Sequence, residues 1–320
     1  MTIQSTKLSK RAQALTSSPS PIMVGHMTCA EDPYSLSNPL GYLNLGTAEN
    51  HLVEDFILPR LNKAITHLPE HMHYSQLHGT DHFKAIVSKF MQKYLDTGEI
   101  NPNNLVTQTG VSAICEALSF AMFDEGDYLI IPTPYYTGFD HDFTKRFKVN
   151  FLYAELDPEQ GFEHNIEAFK QAYENCSDKE KIKAVLLTDP HNPTGEILSE
   201  QFRSEIIAFC ENKKISLISD EIYALSNHDG SPHHSLYREA IEAGIDAHFL
   251  YGMAKDFALG GMKTGFYYSE NQDIVKAMQD LSYFHPVSTS TQLVLENILG
   301  DHSFLDEYIP TAKKRLQSIP

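Results

Sequence analysis

From residue 105 onward the chain alternates short apolar runs with amphipathic stretches, and this alternation constrains its fold more than any other feature. Segments 105–109, 128–131, 150–154, 183–188, 216–219 and 247–251 have the length and apolar character of strands. Between them, 112–123, 166–174 and 199–212 carry helical spacing. Upstream, 42–45 reads as a short strand ending at Gly46, and 52–65 has helical spacing. The run 83–94 (FKAIVSKFMQKY) repeats apolar residues at three- and four-residue steps, the pattern of an amphipathic helix. Strands alternating with helices fold as α/β layers around a mostly parallel sheet.

In such sheets functional groups gather where strands end and loops begin. Three segments stand at those places in fixed order: Asp189-Pro-His-Asn-Pro-Thr-Gly195, Ser219-Asp220-Glu221-Ile222-Tyr223 and Met253-Ala254-Lys255-Asp256. An amide, a carboxylate with a phenol three residues on, and a lone lysine are the groups that a pyridoxal ring needs. The carboxylate keeps the ring nitrogen protonated, the amide and phenol bond the ring hydroxyl, and the lysine forms the Schiff base. Each group also has an ordinary reading. Asn192 in a Pro-flanked turn can be a structural Asx turn, and a loop lysine such as Lys255 commonly sits on the surface. Asp220, by contrast, follows an apolar run, and a buried carboxylate needs a partner.

Two further segments follow strands. Gly110-Val-Ser-Ala-Ile-Cys-Glu116 opens a helix, where free N–H groups and the dipole suit a phosphate, although an ordinary tight turn has the same sequence. Pro132-Thr-Pro-Tyr-Tyr-Thr-Gly138 is a rigid turn whose tyrosines can either pack or stack on an aromatic cofactor.

Composition excludes several classes. The formal charge of −17, from 25 basic and 42 acidic residues, argues against nucleic acid and anionic membrane as partners. No apolar run reaches the roughly 18 residues that cross a bilayer, and the polar N-terminus lacks a signal-peptide core. A soluble cytoplasmic protein is expected. Cys29, Cys115, Cys176 and Cys210 are scattered, with no C-x-x-C pair, and read as reduced thiols. The clusters His71, His73, His78, His82 and His233, His234 lack a completing Cys or carboxylate pattern, so no metal site is expected.

Taken together, the segments resemble fold-type I PLP-dependent enzymes of the class I/II aminotransferase family, and within it the 1-aminocyclopropane-1-carboxylate synthase-like branch. The pieces that carry the resemblance are Ser37-Asn-Pro-Leu-Gly41, Gly46-Thr-Ala-Glu-Asn50, His78-Gly79, Pro132-Thr-Pro-Tyr-Tyr136, Asn192-Pro-Thr-Gly195, Asp220-Glu-Ile-Tyr223 and Ala254-Lys255-Asp256. The resemblance implies a three-layer α/β/α fold with a mostly parallel central sheet and an incomplete small domain. It divides the chain into an N-terminal arm and small-domain segment (1–48), a PLP-binding large domain (49–288) and the start of an interdomain helix (289–320, read as helical over 293–315).

The resemblance also implies roles. Lys255 carries the cofactor, pyridoxal 5'-phosphate, and moves protons at the substrate α-carbon. Asp220 pairs with the ring nitrogen, Tyr223 and Asn192 bond the ring oxygen, and Tyr136 stacks on the ring. Ser112 and the backbone of Ala113 meet the phosphate, as does Lys263, while Glu49 lies near the substrate. The substrate is an amino acid, processed by transamination or by an elimination of the synthase or C–S lyase kind, and the protein is a homodimer.

This chain departs from the family pattern in places. Ala254 replaces a phosphate-binding serine, Lys263 replaces an arginine and loses its bidentate fork, and Leu77 replaces a tyrosine. Family members continue well past residue 320 into a small domain with a carboxylate-binding arginine. A truncated or degenerate homologue with a non-catalytic role is therefore a third reading.

Overall fold

The computed structural model describes residues 7–17, 19–63, 65–227 and 230–318. Positions 1–6 of the expected N-terminal arm and the last two residues of the expected closing helical segment lie outside them.

Two short helices come first, α1 (Lys10–Thr16) and α2 (Pro21–Glu31), where only a polar arm was expected. Neither buries a residue. The strand expected at 42–45 does not form. Tyr42 makes a single bridge to Pro33, and with Leu43 and Leu45 exposed there is no apolar face to hold a ladder. α3 (Glu54–Leu61) and α4 (Asp81–Tyr94) follow. Thr80 caps α4 by accepting from the Phe83 N–H, and the helix buries Phe83, Val87, Phe90 and Met91 along one stripe.

The alternating part then runs β1 (Leu105–Gln108), α5 (Val111–Met122), β2 (Tyr128–Thr133), a short α6 (Lys145–Phe147), β3 (Asn150–Glu155), α7 (Ile166–Asn175), β4 (Ile182–Thr188), α8 (Glu200–Lys213), β5 (Ser216–Asp220), α9 (Leu236–Glu242), β6 (Ala247–Gly252) and β7 (Gly265–Ser269). The chain closes with α10 (Gln272–Leu281), α11 (Thr289–Leu299) and α12 (His302–Gln317). The single helix expected over 293–315 is two helices. It breaks at Gly300 and Asp301, and Asp301 caps α12 by accepting from the Phe304 N–H.

The strands form one seven-stranded sheet in the order β1-β7-β6-β5-β4-β2-β3. The ladders β2·β3, β2·β4, β4·β5 and β5·β6 are parallel, whereas β7 runs antiparallel to both β6 and β1. Side chains alternate between the two faces. Val185, Leu187, Leu217, Phe249 and Tyr251 join one core with the helices α4, α7, α8, α9, α11 and α12. Leu186, Ile218, Leu250 and Tyr267 join the other with α5 and α10. Two cores on opposite faces of one mostly parallel sheet make the three-layer α/β/α arrangement, buried on both sides as such sheets require.

Candidate active site

The C-terminal ends of β4, β5 and β6 lie side by side, because Thr188 pairs with Asp220 and Asp220 with Leu250. The antiparallel β7 starts at the same edge, with Gly265 opposite both Gly252 and Gln108. Residues just past these ends therefore converge. A cavity of about 220 Å³ opens there, and its lining includes Ser112, Tyr136, Asn192, Asp220, Tyr223, Lys255 and Lys263. Of the nine residues singled out from the sequence, these seven share one cavity.

The remaining two lie beside it. Ala113 is half-buried at the third position of α5, where its backbone N–H is one of the four that a helix start leaves unpaired. Glu49 is exposed and lines an adjoining cavity together with Lys255 and Tyr223. Asp142, which the sequence did not single out, also lines the first cavity. It sits in an acidic and aromatic stretch (FDHDF) whose approach to Ser112 only the tertiary fold creates.

Asp220 ends β5 and is 5% exposed. Among the described residues its carboxylate accepts one hydrogen bond, from the Ile222 N–H at 3.3 Å. Burial pushes the carboxyl up to about 7, eased by the Ile222 bond, raised by Glu221 and eased again by Lys255. Next to it Glu221 is fully buried but satisfied. It accepts from the Ser219 and Ser235 hydroxyls and the Tyr237 N–H, and pairs with His233 at 2.7 Å. The contrast is informative: of two adjacent buried carboxylates, the one facing the cavity has no cationic partner in an ion pair among the described residues.

Lys255 lies three residues past β6, and its amine donates to the Ala48 carbonyl at 2.9 Å. Burial lowers its pKa, Glu49 and Asp220 oppose that shift, and Lys263 adds to it. Across the cavity Asn192 Nδ2 donates to Tyr223 Oη at 3.1 Å. Burial first, then the nearby Asp220 charge, raise the Tyr223 phenol, so it stays protonated. Tyr136 meets Phe139 edge-on at 5.4 Å, and its ring passes so close to Gly138 that a Cβ there would lie 2.3 Å from Tyr136 Cε1.

At the other end, Gly110 (φ +101°) caps α5 in a conformation that glycine adopts readily. The N-terminus of α5 approaches the sheet over Gly265, where a Cβ would meet Gly110 C at 2.7 Å and Val111 N at 2.8 Å. Unpaired N–H groups, the Ser112 hydroxyl and exposed Lys263 thus face one end of the cavity, and a cation-seeking carboxylate faces another wall. Asp142, hydrogen-bonded to the Ser112 side chain, is pushed up to about 8 by burial; the Ser112 bond eases that rise and Asp220 and Glu116 add to it, so at neutral pH its negative charge is largely suppressed. This lining fits a group that joins a protonated ring nitrogen to an anionic tail. Among the described residues no cluster of His, Cys, Asp and Glu could hold a metal ion, and no helix is long and apolar enough to cross a membrane.

Residues 41–319 match the family model of aminotransferases class I and II. The chain is 31% identical over 318 residues to 1-aminocyclopropane-1-carboxylate synthase 7 of Arabidopsis thaliana, covering 93% of this chain and 71% of that protein. It is 33% identical over 319 residues to synthase 5 of Oryza sativa subsp. japonica, covering 93% of this chain and 60% of that protein. It thus spans roughly two thirds of these relatives' length. Among solved structures, aspartate aminotransferase from Thermus thermophilus with maleate superposes with a TM-score of 0.78 at 21% identity, covering 97% of this chain and 77% of that one. Alanine aminotransferase from Pyrococcus furiosus gives 0.74 at 19% identity, covering 95% and 76%. With the match spanning nearly the whole chain and the site standing at the edge of a fold shared with these enzymes, the chain belongs to the aminotransferase class I and II family.

Proposed function

We propose that the chain binds pyridoxal 5'-phosphate through Lys255 and acts at the α-carbon of an amino acid, as an aminotransferase. Members of this family use that cofactor, which when bound supplies an electron sink for charge developing at the substrate α-carbon. The observation that carries the reading is Asp220, a carboxylate 5% exposed with one long backbone donor. A protonated pyridine nitrogen is the partner it lacks, and pairing restores its ionised form.

The other residues take roles that follow from their chemistry. Lys255, its pKa lowered by burial, is a nucleophilic amine and, once released by substrate, a base for the α-proton. The Tyr223 hydroxyl, held by Asn192, donates to the ring oxygen. Tyr136 covers the ring. The Ser112 hydroxyl, the first N–H groups of α5 including that of Ala113, and the Lys263 ammonium hold the phosphate. Glu49 faces the substrate from the adjoining cavity. The division into an arm (1–48), a cofactor-binding domain (49–288) and a closing segment (289–320) belongs to the same proposal. So do a cytoplasmic location and a homodimer, the latter supported by Leu36, Leu40 and Leu45, which are 96%, 94% and 87% exposed in the segment just upstream of Ala48 and Glu49.

The relatives' names favour a second reading, an elimination of the 1-aminocyclopropane-1-carboxylate synthase kind. The two readings share α-proton removal by Lys255 and separate at the next step. Borohydride reduction after incubation with pyridoxal 5'-phosphate, followed by peptide mapping, tests the cofactor: a pyridoxyl group on Lys255 is expected. Its absence would sink the cofactor reading and leave the non-catalytic alternative, which Ala254 and Lys263 favour. Keto-acid formation that depends on an amino-acceptor supports transamination, and acceptor-independent formation supports elimination.

A further inference from the structure

The residue after Lys255 is buried more deeply than the lysine and is the better anchored of the two. Asp256 is 4% exposed, and among the described residues its carboxylate accepts three hydrogen bonds. The Leu225 N–H donates to Oδ2 at 2.9 Å, the Tyr251 hydroxyl to Oδ2 at 2.9 Å and the Ser226 hydroxyl to Oδ1 at 2.6 Å. Its backbone carbonyl accepts from the Tyr308 hydroxyl at 2.8 Å, and the Tyr308 ring stacks on that of Phe257 at 5.2 Å and 9°. Three elements therefore meet at one aspartate: strand β6 just upstream, and from farther along the chain the turn after β5 and helix α12.

Two of those contacts bear on the site. Leu225 and Ser226 belong to the turn that carries Tyr223, which is closed by Ala224 N to Glu221 O at 2.9 Å and Ser226 N to Tyr223 O at 2.8 Å. Lys255 precedes Asp256, and consecutive Cα atoms stand about 3.8 Å apart. Pinning Asp256 to residues 225 and 226 thus fixes the root of the Lys255 side chain relative to Tyr223. Among the described residues the three donors to the carboxylate are uncharged, so these bonds satisfy a buried acceptor in one geometry.

We propose that Asp256 is a positioning residue for Lys255: its carboxylate staples the lysine loop to the Tyr223 turn and thereby sets where the lysine amine stands in the cavity. The inference rests on the reading of Lys255 as the cofactor lysine. The titratable groups facing Asp256 are Tyr251 of β6, Tyr308 of α12, Tyr223 of the turn after β5 and His233 of the loop before α9. An asparagine at 256 can still accept from Leu225 and Tyr251 and can donate to Ser226, whose hydroxyl reverses. An alanine can do neither.

The test uses the full chain and its variants Asp256→Ala, Asp256→Asn and Tyr251→Phe, each confirmed as folded by circular dichroism. Pyridoxal 5'-phosphate is titrated at a series of pH values, and the pyridoxyl group on Lys255 is trapped with borohydride and quantified by peptide mass. Wild type and Asp256→Asn are expected to trap alike. Asp256→Ala should need at least tenfold more cofactor and shift the pH midpoint of trapping, and Tyr251→Phe should move both in the same direction by less. Should Asp256→Ala fail to fold, Tyr251→Phe decides, since it removes one donor and nothing else. Folded variants that trap at wild-type concentration and pH midpoint, however far their melting temperatures fall, overturn the proposal and leave Asp256 a scaffold residue. Loss of trapping in Asp256→Asn equal to that in Asp256→Ala overturns the geometric account as well. No adduct on wild-type Lys255 would overturn the cofactor reading, and the positioning role with it.

Discussion

The Lys255 ammonium is held by the carbonyl of Ala48, 207 residues away in sequence, at 2.9 Å. That bond ties the lysine to the loop carrying Glu49, so attachment of a cofactor aldehyde to the amine requires the lysine to leave Ala48. Lys255→Ala should abolish the borohydride-trapped pyridoxyl group completely. Removing one partly exposed hydrogen bond should change the stability of the cofactor-free protein by no more than about 1 kcal/mol. Mass spectrometry and urea unfolding check the two halves separately.

Asp220 has a raised pKa, about 7 against an ordinary 3.8. A group that binds its proton more tightly when folded contributes stability that is fully present below the unfolded value and is lost as pH rises through the folded one. The cofactor-free protein should therefore lose stability from Asp220 between about pH 4 and 7. Asp220→Asn should remove one proton from that slope and stabilise the cofactor-free protein at pH 8 on the order of a few kcal/mol. The same variant should bind pyridoxal 5'-phosphate more weakly. Urea midpoints measured from pH 4 to 8 with and without cofactor would show both effects; parallel pH curves for wild type and variant would count against a protonated Asp220.

Lys263 stands in the left-handed region at φ +46° and lines the cavity from an exposed loop. Arginine there keeps the charge and offers a phosphate two parallel donors. Lys263→Arg should tighten pyridoxal 5'-phosphate binding several-fold. Lys263→Ala should weaken it and also raise the pKa of Lys255, because the Lys263 charge adds to the depression that burial causes. Absorbance titration gives the affinity, and the pH dependence of amine labelling gives the Lys255 shift.

The parallel strands were legible because each is a short apolar run closed by a turn. β4 and β5 differ from their sequence-based bounds by one residue apiece, at Ile182 and Asp220. β7 was not legible. Its five residues, Gly265–Ser269, follow a glycine-rich turn, and all five are buried, so no alternation marks them. Among site residues, Asn192, Asp220, Tyr223 and Lys255 were readable because strand ends deliver them to one edge. Asp142 and the anchoring role of Asp256 were not, because their environments come from partners far along the chain: Ser112 for one, Leu225 and Ser226 for the other. A carboxylate acquires such donors only when loops pack, and local sequence carries no trace of that.

The approach of α5 to the sheet gives a last expectation. A Cβ on Gly265 would lie 2.7 Å from Gly110 C, 2.8 Å from Val111 N and 2.8 Å from Ile114 Cδ1. Two of those atoms are backbone, so Gly265→Ala has to push the start of α5 away from the sheet. Overpacking of this kind costs about 1–3 kcal/mol. The displaced residues are the ones that present N–H groups beside Ser112, so phosphate binding should suffer more than the fold does. We expect Gly265→Ala to remain folded, to melt several degrees lower, and to bind pyridoxal 5'-phosphate at least tenfold more weakly. Pyridoxal, which lacks the phosphate, should be affected far less. Gly261→Ala is the control, since a Cβ there meets nothing within 4 Å. If the Gly265 variant binds both compounds as the Gly261 variant does, the N-terminus of α5 is not where the phosphate is held.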